Sequence, residues 1–281
     1  MVVREKLDFK LDSTIPKYWF NNDPFLSLLV DGICASFPEG ERFFISSVRP
    51  FRDQITDPIL TQEICDFVHQ EGQHGIVHTE FNQVLIEQGL PIEALFTFQK
   101  KIFAWQLSHF SPKFNLAITA ACEHITALMA ECFFARKETM ANADYRVRAM
   151  LAWHSIEELE HKAVAYDMLN VIKVSYLMRI AAMLYVTIYC MKESLSQMSQ
   201  FLKADGFTFG TRSWLMLKGL FSVFGRKGLF APMARHWLSY FRLSFHPWQN
   251  PPIQQHQVWI DTFAQTGDPI AAGEAFHEAG R

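Results

Sequence analysis

Alternating strand patterns are almost missing from this chain of 281 residues, so a sheet has nothing to be built from. Its five cysteines, Cys34, Cys65, Cys122, Cys132 and Cys190, are scattered, odd in number and without any C-x-x-C spacing. That excludes a disulfide framework and a zinc-thiolate site, and it points to a reducing compartment. No basic excess exists: 26 Lys and Arg stand against 29 Asp and Glu, a net charge of -3. Nucleic-acid binding therefore lacks its electrostatic footprint. Residues 1–13 contain no apolar core of a secretory signal, so the expected location is the cytoplasm. Internal repeats and low-complexity tracts are absent as well. What remains, 49% hydrophobic and 20% charged, is the composition of one extended globular domain with a sizeable core.

The apolar periodicity is helical from end to end. Asp57-Pro58 supplies a cap and first-turn proline, and Gly89 with Pro91 closes that helix. Further helices are predicted over about 91–109, 112–139, 142–173, 174–202, 208–223 and 229–244. Ser36-Phe37-Pro38 reads as the cap and first turn of another. A break over His246-Pro247-Trp248-Gln249-Asn250-Pro251-Pro252 precedes one more short helix and a Gly/Ala-rich tail expected to fray. The expectation is a single all-α domain over 1–281, with a helical bundle over about 37–173. Additional helices over about 174–265 would cap it or form an interface.

Within that pattern two helices each carry an E-x-x-H pair, Glu71-Gly72-Gln73-His74 and Glu158-Leu159-Glu160-His161. One such pair arises by chance about once in a chain of this composition, so the weight lies in the context. Both pairs sit mid-helix among apolar neighbours, where unpaired charge is costly. Lone glutamates occur in the right order: Glu41 before the first pair, Glu123 between the two. Offsets of three, four and seven residues return to one helical face, so His154, Glu158 and His161 form one stripe, and Glu71, His74 and His78 another. Two E-x-x-H helices and two single-Glu helices make the ligand set of a ferritin-like di-iron or di-manganese bundle. Four carboxylates balance two divalent cations, and the mixed carboxylate-imidazole set favours iron or manganese over structural zinc. The expected metal is two iron ions, with Mn/Fe and Mn/Mn pairs as alternatives.

Neighbouring residues receive plainer readings. Glu157 and Glu160 point away from the stripe and are expected to be solvated or to support the ligands from behind. Glu39, placed in a first turn, is expected at the surface. His78 is expected to support a ligand or touch substrate, and His124 to pack or hydrogen-bond. Phe43, Phe44, Phe67 and Phe81 lie near the stripes and are candidates for an apolar substrate pocket. Gly72 and Gly75 flank His74 inside a helix, where glycine costs about 1 kcal/mol. They leave room either for substrate or for close helix packing. The segment Val174 to Met191 is almost long enough to span a bilayer but contains Arg179. It is expected to pack on the bundle or in a twofold dimer, with peripheral membrane contact left open.

Phe37-Pro38-Glu39-Gly40-Glu41-Arg42-Phe43-Phe44, Phe67-Val68-His69-Gln70-Glu71-Gly72-Gln73-His74 with His78, Phe81 and Asn82 beyond, and Trp153 to Lys162 together resemble the bacterial predicted metal-dependent hydrolases. That resemblance implies metal binding. The ligand pattern also looks like that of the ferritin-like di-iron arylamine N-oxygenases, which add a third histidine one turn before the last E-x-x-H. His154 occupies that position, beside Glu41, Glu71, His74, Glu123, Glu158 and His161. Two activities are therefore expected in order. The first is an O2-dependent di-iron oxidase or oxygenase acting on a small, largely apolar substrate, with an electron donor or reductase as partner. The second is a two-metal hydrolase, in which the metals lower the pKa of water. Non-enzymatic iron binding is a third reading.

Overall fold

The computed structural model describes residues 1–250 and 253–280, and among them the chain is helical without a strand. The all-α expectation holds. In order the helices are α1 (Pro24–Val48), α2 (Pro58–Glu87), α3 (Ile92–His109), α4 (Pro112–Phe134), α5 (Tyr145–His161) and α6 (Val164–Val171). They are followed by α7 (Tyr176–Ala204), α8 (Phe209–Phe224), α9 (Met233–Ser239), α10 (His256–Thr266) and α11 (Pro269–Glu278). Four of them form a ring: α1 packs on α2, α2 on α5, α5 on α4 and α4 on α1. Each contributes one candidate ligand stripe to the middle. The segment before α1 has no helix, yet Phe9, Ile15, Trp19 and Phe20 are buried from it in the core.

Several helix starts follow from local chemistry. Asp57 accepts from the backbone N–H groups of Ile59 and Leu60 with Pro58 at the first position, and Ser111 caps α4 in the same way. The start predicted at Ser36-Phe37-Pro38 is wrong. The helix begins thirteen residues earlier in α1, where Asp23 accepts from Leu26 N–H and Pro24 takes the first turn. Ser36 Oγ donates to the Gly32 carbonyl at 2.9 Å instead of capping, and Pro38 lies inside the helix. An interior proline costs about 3 kcal/mol. Here it is tolerated because α1 is buried on both sides of it, from Leu28 to Phe44. Glu39 is consequently mid-helix and bonded to Arg42 at 2.6 Å.

Other boundaries differ as well. The helix expected over 142–173 is two, α5 and α6, separated at Lys162 and Ala163, where no Gly or Pro announces a break. Only α9 is α-helical within 229–244. Pro251 and Pro252 of the expected break lie outside the described residues. The Gly/Ala-rich tail does not fray: it forms α11, capped by Asp268, with Phe276 buried, and packs along α5. Among the described residues α4 is the one helix long and apolar enough to cross a membrane. Its apolar face is instead core, and Glu123 sits on it fully buried.

Arg179, the charge within the apolar segment from Val174 to Met191, is accommodated inside the protein. Its guanidinium, buried on α7, reaches no carboxylate; it donates to the Tyr240 and Arg242 carbonyls at 3.1 and 2.7 Å. Aromatic rings of Tyr176, Tyr240 and Tyr166 surround it at 5.1 to 5.4 Å. Carbonyl and ring faces thus replace an ion pair.

Close approach of α11 to α5 depends on Gly273, because a Cβ there would meet the Ala149 backbone and side chain at 2.6 Å. Alanine in an exposed helix would stabilise by about 1 kcal/mol relative to glycine. Here Gly273→Ala is expected to destabilise by about 1–3 kcal/mol through overpacking. Denaturant unfolding reads the sign directly, and a stabilised variant would show that α11 is not seated on α5.

Candidate metal centre

Seven side chains meet in the ring, fully or almost fully buried: Glu41 from α1, Glu71 and His74 from α2, Glu123 from α4, and His154, Glu158 and His161 from α5. They fall into two groups, Glu41 with His74 and His154, and Glu71 with Glu123, Glu158 and His161. Within each group the ligand atoms lie within 4.8 Å of one another. Glu158 joins the groups, its Oε1 standing 3.1 Å from His154 Nε2, 3.5 Å from His161 Nε2 and 3.8 Å from His74 Nδ1. His161 Nε2 is also 3.2 Å from both Glu71 and Glu123. The structure thus brings together every residue that the spacing put forward as a ligand.

Most of the ligand atoms are left without hydrogen bonds. Both carboxylate oxygens of Glu41, Glu71 and Glu123, with His74 Nδ1, His154 Nε2 and His161 Nε2, are buried and unpartnered. Nine such atoms in one place are far beyond what a native interior tolerates. A bound cation is the partner their chemistry fits.

Tautomers follow from the groups behind the ligands. Gln70 Nε2 donates to the Val2 carbonyl and to Glu160, which leaves its Oε1 to accept from His161 Nδ1 at 3.0 Å. That keeps the Nδ1 proton outward and turns Nε2 to the centre, where burial disfavours a charged ring but Glu123 and Glu158 outweigh it and raise His161 well above the usual imidazole value. His74 Nε2 likewise donates to Glu157 at 3.1 Å, so Nδ1 faces inward. Glu157 is held in turn by Arg4 at 3.0 Å, whose other nitrogen donates to Glu160 at 2.7 Å. His154 Nδ1 shares a hydrogen bond of 2.9 Å with His78 Nε2, and Thr126 Oγ1 donates to Glu158 Oε2. Glu157 and Glu160 thus support ligands and are not solvated. His124 stands apart, bonded to the His236 carbonyl at 3.2 Å.

Arg4, Gln70 and Thr126 carry no motif. Gln70 adjoins Glu71 in sequence, but Arg4 is more than 150 residues from the carboxylates it holds, and no local pattern marks it. Gly75 settles one alternative: its Cβ would stand 3.2 Å from Glu41 Oε2, so the glycine lets α1 and α2 approach. Gly72 has open space.

Electrostatics match a charged cluster without its counter-ions. Burial raises Glu41 and Glu71 well above the ordinary carboxylate value, with neighbouring carboxylates adding to it. Burial and Glu158 push Glu123 up to about 7. Burial holds His74 and His78 well below the usual imidazole value, so both are neutral donors of a lone pair. Burial also disfavours charge on Glu158, but His161 and His154 outweigh it and hold that carboxylate low.

A cavity of about 470 Å³ adjoins the centre, reaching it at Phe37, Gly40 and Thr126. Phe37 lies against the rings of His154 and His78, with centroids 4.4 and 4.6 Å apart. Phe43 and Phe44 line this cavity as expected. Phe67 and Phe81 do not; the former packs on His161 and the latter on Trp19.

With this geometry in place, comparison with known proteins is informative. Residues 3–251 match the family described as predicted metal-dependent hydrolase, and the chain belongs to that family. No curated protein and no solved structure matches it. The family assignment overturns the first of the two expected activities, the O2-dependent di-iron oxidase or oxygenase. Hydrolysis, the second, is the activity that the family's description favours.

The raised carboxylates have a measurable consequence. Between its ordinary value of 4.5 and about 7, Glu123 holds a proton in the folded chain that the unfolded chain has lost. Glu123 therefore contributes stability to the metal-free protein that is lost as pH rises through that window, against the opposite slope that His74 and His78 contribute below 6.5, and Glu123→Gln, or bound metal that displaces the proton, is expected to remove the Glu123 contribution. Thermal unfolding at about pH 5 and 8, with and without Mn²⁺, checks this. A metal-free Glu123→Gln variant whose stability changes with pH as the parent's does contradicts the assignment.

Proposed function

We propose that the chain is a two-metal hydrolase acting on a substrate whose apolar part occupies the cavity beside the centre. The observation that carries the reading is the set of nine unpartnered ligand atoms in two groups joined by Glu158, within a chain of the metal-dependent hydrolase family. Glu41, His74 and His154 would hold one cation, Glu71, Glu123 and His161 the other, with Glu158 shared. Four carboxylates with neutral imidazoles suit two divalent cations, iron or manganese. When bound, such a pair supplies Lewis acidity toward a scissile bond and lowers the pKa of water.

The chain's own residues do the rest. Gln70 and the Arg4–Glu157 pair hold the rings of His161 and His74 in the tautomer that presents a lone pair inward. His154 Nδ1 and His78 Nε2 share one hydrogen bond at 2.9 Å behind Phe37, which lines the cavity. That bond orients the ring of His154 so that Nε2 faces the centre, as Gln70 and Glu157 do for His161 and His74. Phe37 covers the outer side of both rings and excludes bulk water. The cavity wall, mostly Phe, Ile, Leu, Met and Tyr side chains, favours a hydrocarbon substituent and offers few groups to bind a charged one.

Metal analysis with ester hydrolysis tests the reading. Protein loaded with Mn²⁺ or Fe²⁺ is expected to hold about two ions per chain and to hydrolyse a p-nitrophenyl acyl ester; chelation should abolish turnover and re-addition restore it. Glu71→Ala and Glu158→Ala should each lose at least one ion. Full metal content in both would remove the ligand assignment, and a fully loaded protein inert toward ester, amide and phosphate ester bonds would remove the hydrolase. Gln70→Leu, which frees the ring of His161, is expected to weaken metal affinity about 10–100-fold with the fold intact. Unchanged affinity would show that Gln70 does not orient His161.

A further inference from the structure

Outside the ring, α7 and α8 present apolar stripes that none of the described residues covers. On α7 these are Leu177, Leu184, Ile188, Met191 and Leu195, spaced by three, four and seven residues on one helical face and all exposed. On α8 they are Trp214, Leu217, Phe221 and Phe224, spaced three, four and three, each more than half exposed. Isolated exposed apolar residues are ordinary, but two adjacent helices with continuous stripes mark an interaction surface.

The cavity beside the metal centre opens on this surface. Met191, Leu195, Leu220 and Phe224 line the cavity and are exposed at the same time, so they form its mouth. An apolar passage therefore runs from the α7–α8 face to Phe37 and Thr126 at the carboxylates.

Charge selects the partner. From residue 206 to residue 260 the chain contains no Asp or Glu, although its net charge is -3. The same stretch carries exposed Lys218, Arg226, Lys227, Arg235 and Arg242. The nearest acids on α7 and just after it are engaged: Glu193 accepts from Gln99 at 2.9 Å and Gln197 at 3.0 Å, and Asp205 pairs with Lys17. A twofold copy would bring these cations against themselves with no acid to answer them. An anionic lipid surface answers both the cations and the exposed Trp and Phe side chains.

We propose that the α7–α8 face docks on an anionic lipid surface, with the cavity mouth turned to the acyl region, and that the substrate is an acyl-chain compound drawn from that surface. The docking stands on the face and its charge alone. The substrate class rests on the hydrolase reading above.

Co-sedimentation of the full chain with lipid vesicles tests the docking. Vesicles containing phosphatidylglycerol are expected to bring the protein down, pure phosphatidylcholine vesicles to do so at least tenfold less well, and salt to release it. Arg226→Ser with Lys227→Ser should weaken binding by roughly fivefold per cation. Trp214→Ser with Phe221→Ser should remove it, with circular dichroism unchanged. No sedimentation above the lipid-free control overturns the proposal. So does a lipid-free dimer that Trp214→Ser with Phe221→Ser converts to monomer, since the face would then be an interface between copies.

The substrate class has its own readout. The Arg226→Ser, Lys227→Ser variant should lose turnover of a long-chain p-nitrophenyl ester carried in the vesicles while keeping turnover of a short-chain ester in solution. Equal loss on both, or on neither, overturns surface delivery. Glu158→Ala should bind vesicles as the parent does. Vesicle binding without hydrolysis of any ester would therefore remove the hydrolase and leave the docking standing.

Discussion

Four carboxylates and four imidazoles lie within one ring of helices, out of reach of water, and nearly every other feature of the molecule answers the cost of putting them there. An isolated carboxylate in such surroundings takes up a proton in preference to staying charged, as the upward shifts of Glu41, Glu71 and Glu123 show. Cations would reverse that and let all four glutamates ionise. The ring is thus shaped for a bound state, and its metal-free form retains an electrostatic penalty that packing must offset.

That penalty explains how much of the chain is given to fixing the ligands. Arg4 comes from a segment with no helix of its own, held down by Phe9, Ile15, Trp19 and Phe20, and meets Glu157 and Glu160 on α5. Gln70 and Glu157 then set which nitrogen of each histidine looks inward. Each link in this chain is a directional bond in a low-dielectric interior, where such bonds are strong and a missing partner is costly. Ligand rings held this firmly present lone pairs to a cation without first having to be ordered.

The α7 and α8 helices add what the ring lacks. The ring alone is a polar centre; with α7, α8 and α9 beside it, one side becomes an apolar cavity whose mouth lies among exposed Met, Leu and Phe side chains. Polar groups thus stand at one end of the cavity and a hydrocarbon-lined entrance at the other.

Much of this was legible from the chain alone. Helical periodicity determined the all-α class, because one buried stripe per helix is written directly in residue spacing, and Asp57-Pro58 marked a start that the structure keeps. Five candidate ligands were legible for the same reason, since offsets of three, four and seven place Glu71 with His74, and His154 with Glu158 and His161, wherever the helix goes; Glu41 and Glu123 stood out only by their order along the chain. What only the tertiary structure decided is whatever depends on a neighbour distant in sequence. Pro38 lies within a helix because burial on both sides outweighs its local cost, Arg4 reaches α5 from the far end of the chain, and Gly273 is needed only where α11 meets Ala149. The division of the ligands between two groups, and the opening of the cavity on the α7–α8 face, were set the same way. Spacing specifies a face of one helix, but which faces meet is settled by packing among all of them.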